Sequence, residues 1–178
     1  MKLYIVRHGE TDNNLNGIIQ GIIDTPLNET GIKQAMELKE KLKDVKFDLV
    51  ITSPLQRAKL TAEIINDNKA EIICDKQIIE RNTGDFEGKK NNGYDHSKVW
   101  DYKLNTDLGA HVERVQDLFK RANVFLNDIK NKYPDKTLLI VSHSGFIRAL
   151  HFTIVGFNED ENLRAFTIDN CALLEYDI

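Results

Sequence analysis

The amino-acid sequence predicts an α/β protein, a mostly parallel sheet with helices laid on its faces. Short apolar runs of strand length alternate with longer segments whose apolar residues recur at three- and four-residue spacing. That alternation belongs to parallel strands joined by helical crossovers. The second observation is bulk composition: 178 residues, 41% hydrophobic and 29% charged, suffice for one sizeable core and fall short of the length at which chains divide. A single domain over residues 1–178 is therefore expected. The third observation is that three of the apolar runs stop abruptly at residues able to do chemistry.

Taken in order, Leu3–Val6 reads as the first strand. After a polar loop, Thr30 is placed to cap a helix whose apolar stripe is Ile32, Ala35, Met36, Leu38 and Leu42. Leu49–Thr52 forms the second strand. Ser53-Pro54 supplies a cap followed by a first-turn proline, and Leu55, Ala58, Ala62 and Ile65 make the face of the next helix. A third strand falls near Ile72–Cys74. From Arg81 to about Gly109 the pattern fades into Asn, Gly and Asp with scattered aromatics, a loop or lid of the length that is usually functional. A long helix follows, with Val112, Val115, Leu118, Phe119, Ala122, Phe125, Leu126 and Ile129 in one wide stripe that ends at the turn around Pro134. Leu138–Val141 is the fourth strand and Phe146–Val155 a helix. Phe166–Ile168 and Ala172–Tyr176 read as a late pair of strands.

Charge and hydropathy narrow the function. A net charge of −4 lacks the basic footprint of a nucleic-acid binder, so no nucleic-acid partner is expected. No window reaches the roughly 18 apolar residues of a membrane span. The apolar run after Met1 is shorter than a secretory core of about 7–15 residues, so a cytoplasmic protein is expected. Cys74 and Cys171 stand far apart in apolar contexts and read as buried thiols.

The three abrupt endings carry the chemistry. The first strand runs into Arg7-His8-Gly9-Glu10, the second into Ser53-Pro54-Leu55-Gln56-Arg57, and the fourth into Ser142-His143-Ser144-Gly145. Ligands of open α/β sheets sit beyond the carboxyl ends of the strands. If the three strands are parallel neighbours, two histidines and two arginines meet at one rim. Paired guanidinium groups repel a metal cation and grip phosphate oxygens, and the helix starts after Ser53 and His143 add N–H groups and a positive dipole end. The site reads as an anion hole, with no metal expected.

The blocks RHGETDNN, IIQGIIDTPLNETGIKQA, SPLQRAKLTAEII, IIERNTGDFEGK and VSHSGFIRAL, in that order, resemble the histidine phosphatase superfamily, specifically its phosphoglycerate-mutase-like branch. The resemblance implies a three-layer α/β/α fold and phosphoryl transfer through a phosphohistidine, without metal or other cofactor. By position, His8 matches the nucleophile. Arg7, Arg57 and His143 match the groups that hold the phosphoryl oxygens, Asn14 a further phosphate contact, and Glu80 the proton donor. Gln20, Gly21 and Ser144 fall in the same blocks and complete the expected substrate- and phosphate-binding set.

The residue chemistry agrees with these roles. Positive charge beside His8 disfavours imidazolium, which leaves a ring nitrogen free to attack. The same arginines stabilise charge on the equatorial oxygens in place of magnesium. His143 is a candidate cationic donor once a dianion is bound, and Glu80 must donate to the departing alkoxide and then activate water. His96, His111 and His151 have no partner pattern; Trp100 and Phe86 are candidates for pocket lining; Arg148 reads as structural; Glu10 and Ser53 are expected near the site without direct chemistry. Ile18 stands where many relatives carry an arginine, and Glu113-Arg114 is the best match to a Gly-Glu-Ser block.

The expected partner is a small phosphorylated metabolite, and the sequence leaves monomer and homodimer open. The leading function is a phosphomonoester hydrolase. The alternative is a bisphosphoglycerate-dependent phosphoglycerate mutase; the compact Arg81–Gly109 segment, with few basic residues, favours hydrolysis. An alternative of another class, a non-catalytic phospho-ligand-binding module, would be marked by loss of His8 or Glu80, and both are present.

Overall fold

The computed structural model describes residues 1–178. Five strands form one sheet in the order β3-β2-β4-β1-β5: β1 (Lys2–Arg7), β2 (Leu49–Thr52), β3 (Ile72–Cys74), β4 (Thr137–Ser142) and β5 (Leu173–Asp177). The first four strands are mutually parallel, and β5 lies antiparallel on β1. Period-two alternation divides each central strand between two cores. Leu3, Ile5, Ile51, Leu138 and Ile140 face one side, where α5 (Val115–Lys132) and α6 (Ser144–Val155) pack. Tyr4, Val6, Val50, Leu139 and Val141 face the other, against α2 (Glu29–Lys41) and α3 (Gln56–Asn66). The result is the three-layer α/β/α arrangement. Two single-turn helices, α1 (Asp12–Leu15) and α4 (His96–Val99), lie in the first loop and in the long segment read as featureless, which also holds a 3₁₀ turn at Gly84–Phe86.

Local chemistry corrects several boundaries. Asn28, not Thr30, caps α2: its Oδ1 accepts from Gly31 N–H at 2.9 Å while its amide donates to Glu10. α3 starts at Gln56 without a serine cap, because the Ser53 hydroxyl is engaged elsewhere and Asp24 Oδ1 accepts the Gln56 N–H at 2.7 Å instead. Val112 is buried but precedes α5. Phe166–Ile168 is no strand. β5 already occupies the outer edge of β1, and the carbonyls of Phe166 and Ile168 accept from Arg148 Nε and Arg7 Nη1. The two cysteines are not both buried: Cys74 is exposed on the edge strand β3, and Cys171 is half-buried, its thiol pushed up to about 12 by desolvation.

One close approach shapes the turn after β1. A Cβ on Gly9 would stand 2.5 Å from the Gly31 carbonyl oxygen, and one on Gly31 would stand 2.2 Å from that of Glu10. Two backbones therefore cross where only glycine fits. Replacing Gly9 with alanine forces one of them to move, and we expect a loss of about 1–3 kcal/mol in urea unfolding; an unchanged midpoint would show that this turn has slack.

Candidate functional site

β4 lies between β1 and β2, so residues 8, 53 and 143 emerge side by side at one rim. The His8 N–H bonds to the Ser142 carbonyl (3.0 Å) and the Ser53 N–H to the Val141 carbonyl (3.0 Å), which fixes the three strand exits to one another. The His8 ring is 2% exposed and its centroid lies 5.1 Å from that of His143. Its Nδ1 is 2.7 Å from its neighbour's carbonyl, Gly9 O. A carbonyl only accepts, so Nδ1 carries the proton and Nε2 holds the lone pair. Burial first, then the charges of Arg57 and Arg7, hold the imidazole well below its ordinary pKa.

The neighbouring cations are arranged to meet an anion. Arg57, fully buried, donates from Nη1 to Ile23 O (2.6 Å) and from Nη2 to Gly21 O (2.9 Å), and its Nε has no partner. Arg7 donates from Nη1 to Ile168 O (2.8 Å), and its Nε is likewise unpartnered. His143 has Nε2 2.7 Å from Ser53 Oγ. That hydroxyl also receives the Leu55 N–H, and His143 Nδ1 is buried without a partner. Burial, then Arg57, depresses the His143 pKa too, so the free site holds it neutral rather than cationic. None of the ion pairs in the structure involves Arg7 or Arg57. Buried guanidinium groups with no carboxylate cost several kcal/mol unless an anion compensates them.

Glu80 closes the site from the other side. Its carboxylate accepts from the N–H groups of Arg81 (2.7 Å), Gly145 (3.2 Å) and Phe146 (3.2 Å), which seats it on the N-terminal end of α6. A Cβ on Gly145 would lie 2.5 Å from Glu80 Oε1, so glycine makes the seat possible. A cavity of about 370 Å³ is lined by Arg7, His8, Arg57 and Glu80 and also by Asn14, Gln20, Gly21 and Ser144. His143 lies just behind that lining. Asn14 Oδ1 accepts from Thr11 N–H, which fixes the amide orientation and leaves its NH₂ group to donate. Gln20 Oε1 is similarly held by the hydroxyls of Thr11 and Thr25.

Other expectations divide. Trp100, His96 and Ile18 line the cavity, whereas Phe86 instead packs on Tyr94 (5.1 Å). His111 is exposed beside Asp85, and His151 stacks on Phe166 at 4.0 Å. Glu10 supports the Asn28 cap, and Glu113 pairs with Arg121 at 2.9 Å, away from the lining. Arg148 does brace the Phe166 carbonyl, but it also lines the cavity together with Arg81. Neither was separable in the sequence from an ordinary loop or helix arginine.

The sequence profile of the histidine phosphatase superfamily (branch 1) matches residues 3–178. The uncharacterized phosphatase PhoE of Bacillus subtilis (strain 168) is 39% identical over 170 residues, covering 95% of this chain and 84% of that protein. The putative phosphoserine phosphatase 2 of Hydrogenobacter thermophilus is 31% identical over 180 residues, covering 98% and 88%. Among solved structures, YhfR of Bacillus stearothermophilus superimposes with a TM-score of 0.89 at 28% identity, covering 99% of this chain and 91% of that one.

The two buried imidazoles set a pH dependence. Their folded pKa values lie below the unfolded value of about 6.5, so between these limits the unfolded chain binds more protons. Stability from this source is complete above about pH 6.5 and is lost as pH falls toward the depressed values, by up to about 1.4 kcal/mol per pH unit for each group. Urea unfolding at pH 7.5, 6.5 and 5.5 should show the decline, and His8→Asn should shrink it; level stability down to pH 5.5 contradicts the neutral buried pair.

Proposed function

The chain belongs to the histidine phosphatase superfamily, and on that premise we propose that it is a metal-independent phosphomonoesterase. It hydrolyses a small phosphorylated metabolite through a phosphohistidine on His8. The phosphatase names of its relatives support histidine-phosphatase chemistry in general. The observation that carries the specific reading is the buried lone pair of His8 Nε2 beside two guanidinium donors without partners, Arg7 Nε and Arg57 Nε, and the unpartnered ring nitrogen His143 Nδ1.

The phosphoryl dianion takes up those donors, with Asn14 adding a further one. Nε2 attacks phosphorus in line, the N–P bond forms as the ester P–O bond breaks, and the bonding pair leaves on the alkoxide oxygen. Glu80 supplies that oxygen with a proton. Negative charge on the equatorial oxygens is held by Arg7 and Arg57, the load that a divalent cation carries in other phosphoryl-transfer sites. In the second half, water attacks phosphorus while the Glu80 carboxylate takes its proton, and the N–P pair returns to Nε2. The sum is ester plus water giving alcohol plus inorganic phosphate.

Incubation with a labelled phosphomonoester, quenched in alkaline denaturant, tests the intermediate. Wild-type protein should carry an acid-labile, alkali-stable label, and His8→Ala should lose both the label and kcat/KM by about a thousandfold or more. Turnover should survive a chelator; a strict metal requirement overturns the scheme. Rapid phosphoglycerate interconversion with negligible phosphate release would assign the mutase instead. Glu80→Gln separates the acid role from the rest: kcat/KM for an alkyl ester should fall about a hundredfold, and far less for p-nitrophenyl phosphate, whose leaving group needs no proton. Equal losses on both esters would remove Glu80 from that role.

A further inference from the structure

The block that supplies Glu80 holds a second carboxylate, Glu87, that the proposed steps do not use. Glu87 is not part of the cavity lining. Its Oε1 accepts the N–H of Ile22 at 2.9 Å and the N–H of Thr83 at 3.1 Å, with the Thr83 hydroxyl 3.5 Å away. A Cβ on Gly21 would lie 2.0 Å from the same oxygen, and Gly21 takes a φ of +49°. Only glycine fits under this carboxylate.

What Glu87 grips is the middle of a turn. The Ile23 N–H bonds to the Gln20 carbonyl at 3.0 Å, so residues 20–23 close a β-turn whose central peptide joins Gly21 to Ile22. A flip of that peptide is what separates one turn type from another. Here its N–H points at Glu87 and its C=O at Arg57, which donates from Nη2 to Gly21 O at 2.9 Å and from Nη1 to Ile23 O at 2.6 Å. The backbone around Glu87 is itself held in place. Its N–H bonds to Gly84 O at 3.1 Å, and the bonds Gly88 N–H to Ile19 O (2.8 Å) and Ile19 N–H to Lys89 O (2.9 Å) tie the segment to the first loop.

We propose that Glu87 is a positioning residue that acts through the Gly21–Ile22 peptide to aim the Arg57 guanidinium at the phosphoryl site. The proposal rests on the phosphomonoesterase reading and adds to it a residue that touches neither substrate nor nucleophile. A carboxylate paired directly with Arg57 would hold the fork as firmly, but it would occupy donors and cancel the charge that the anion needs. One interposed amide avoids both, and Arg57 Nε stays without a partner. A flipped peptide would turn the Ile22 N–H toward a buried cation and leave Nη2 without its acceptor. Burial lowers the Arg57 pKa, and Glu80, Asp24 and Glu87 act against it, so Glu87 also favours the charged guanidinium from a distance.

The test uses inorganic phosphate as the probe, its Kd measured by calorimetry, with hydrolysis of p-nitrophenyl phosphate followed beside it. Glu87→Ala should weaken phosphate binding and lower kcat/KM, each by about tenfold or more. Glu87→Gln, which keeps an oxygen in the place of Oε1, should recover most of that loss. Glu87→Asp, which keeps the charge but shortens the arm, should not. In an Arg57→Lys background, which lacks the fork, the cost of Glu87→Ala on phosphate affinity should shrink to about twofold or less. A residue that only braces the loop costs the same in both backgrounds; that result, or wild-type affinity in Glu87→Ala, overturns the proposal. Should Glu87→Ala fail to fold, the other two variants decide, and equal phosphate affinities in Glu87→Gln and Glu87→Asp overturn it. Wild-type protein that binds phosphate but releases none from the ester removes the hydrolase reading, and the affinity cycle still decides Glu87. Wild-type protein that does neither removes both.

Discussion

The structure is organised around buried positive charge that the protein itself does not neutralise. Arg57 is completely buried, yet the groups that hold it are the carbonyl oxygens of Gly21 and Ile23, partial charges rather than a carboxylate. Arg7 is held the same way by Ile168. Carbonyls fix the direction of a guanidinium without cancelling its charge, which is what an anion site requires and a structural ion pair defeats. The first loop and the 166–168 segment consequently take their shapes from these side chains. Phe166–Ile168 has strand-like residues but gives its carbonyls to Arg148 and Arg7 rather than to a ladder.

The sheet makes such a concentration of charge tolerable. Leu3, Ile5, Leu138, Leu139, Ile140 and Val141 are completely buried, and each strand feeds both cores, so the middle of the sheet is stabilised by large apolar area on both faces. Chain order then decides what stands at the rim. The chain leaves β1, builds β2 and β3 to one side, and returns to insert β4 between β1 and β2. This reversal of direction is where α/β sheets open a crevice. Here it places His143 against both His8 and Ser53, residues that are far apart in the chain.

Legibility in the sequence followed the range of the interactions. The strands were readable because a run such as Leu138–Val141 is apolar on both faces, and the rim because Arg7-His8 and His143 stand at the ends of such runs and Arg57 a few residues beyond another. Caps failed where a distant residue intervened. Ser53 is a good cap by type, but His143 claims its hydroxyl and Asp24 caps α3 from another loop. Arg81 and Arg148 were invisible for a related reason: their place on the cavity lining comes with their packing on Trp100, which local spacing does not encode. Cys74 misled because its apolar neighbours belong to a strand that happens to be the edge.

Arg121 ties these features together from the far side of the sheet rim. It reaches from α5 to the carbonyls of Gln77 and Ile79, both at 2.7 Å, and pairs with Glu113, whose own backbone carbonyl accepts from Arg81. The stretch before Glu80 is therefore clamped, and the residue after it is anchored to the segment that begins α5. Glu80 between them has little freedom except against the N–H groups at the start of α6. Its carboxylate and the Arg81 guanidinium are thus positioned by one connected set of contacts. A displacement of the Glu80–Arg81 stretch therefore moves both side chains at once, and the start of α6 and the segment before α5 together fix where they stand in the cavity.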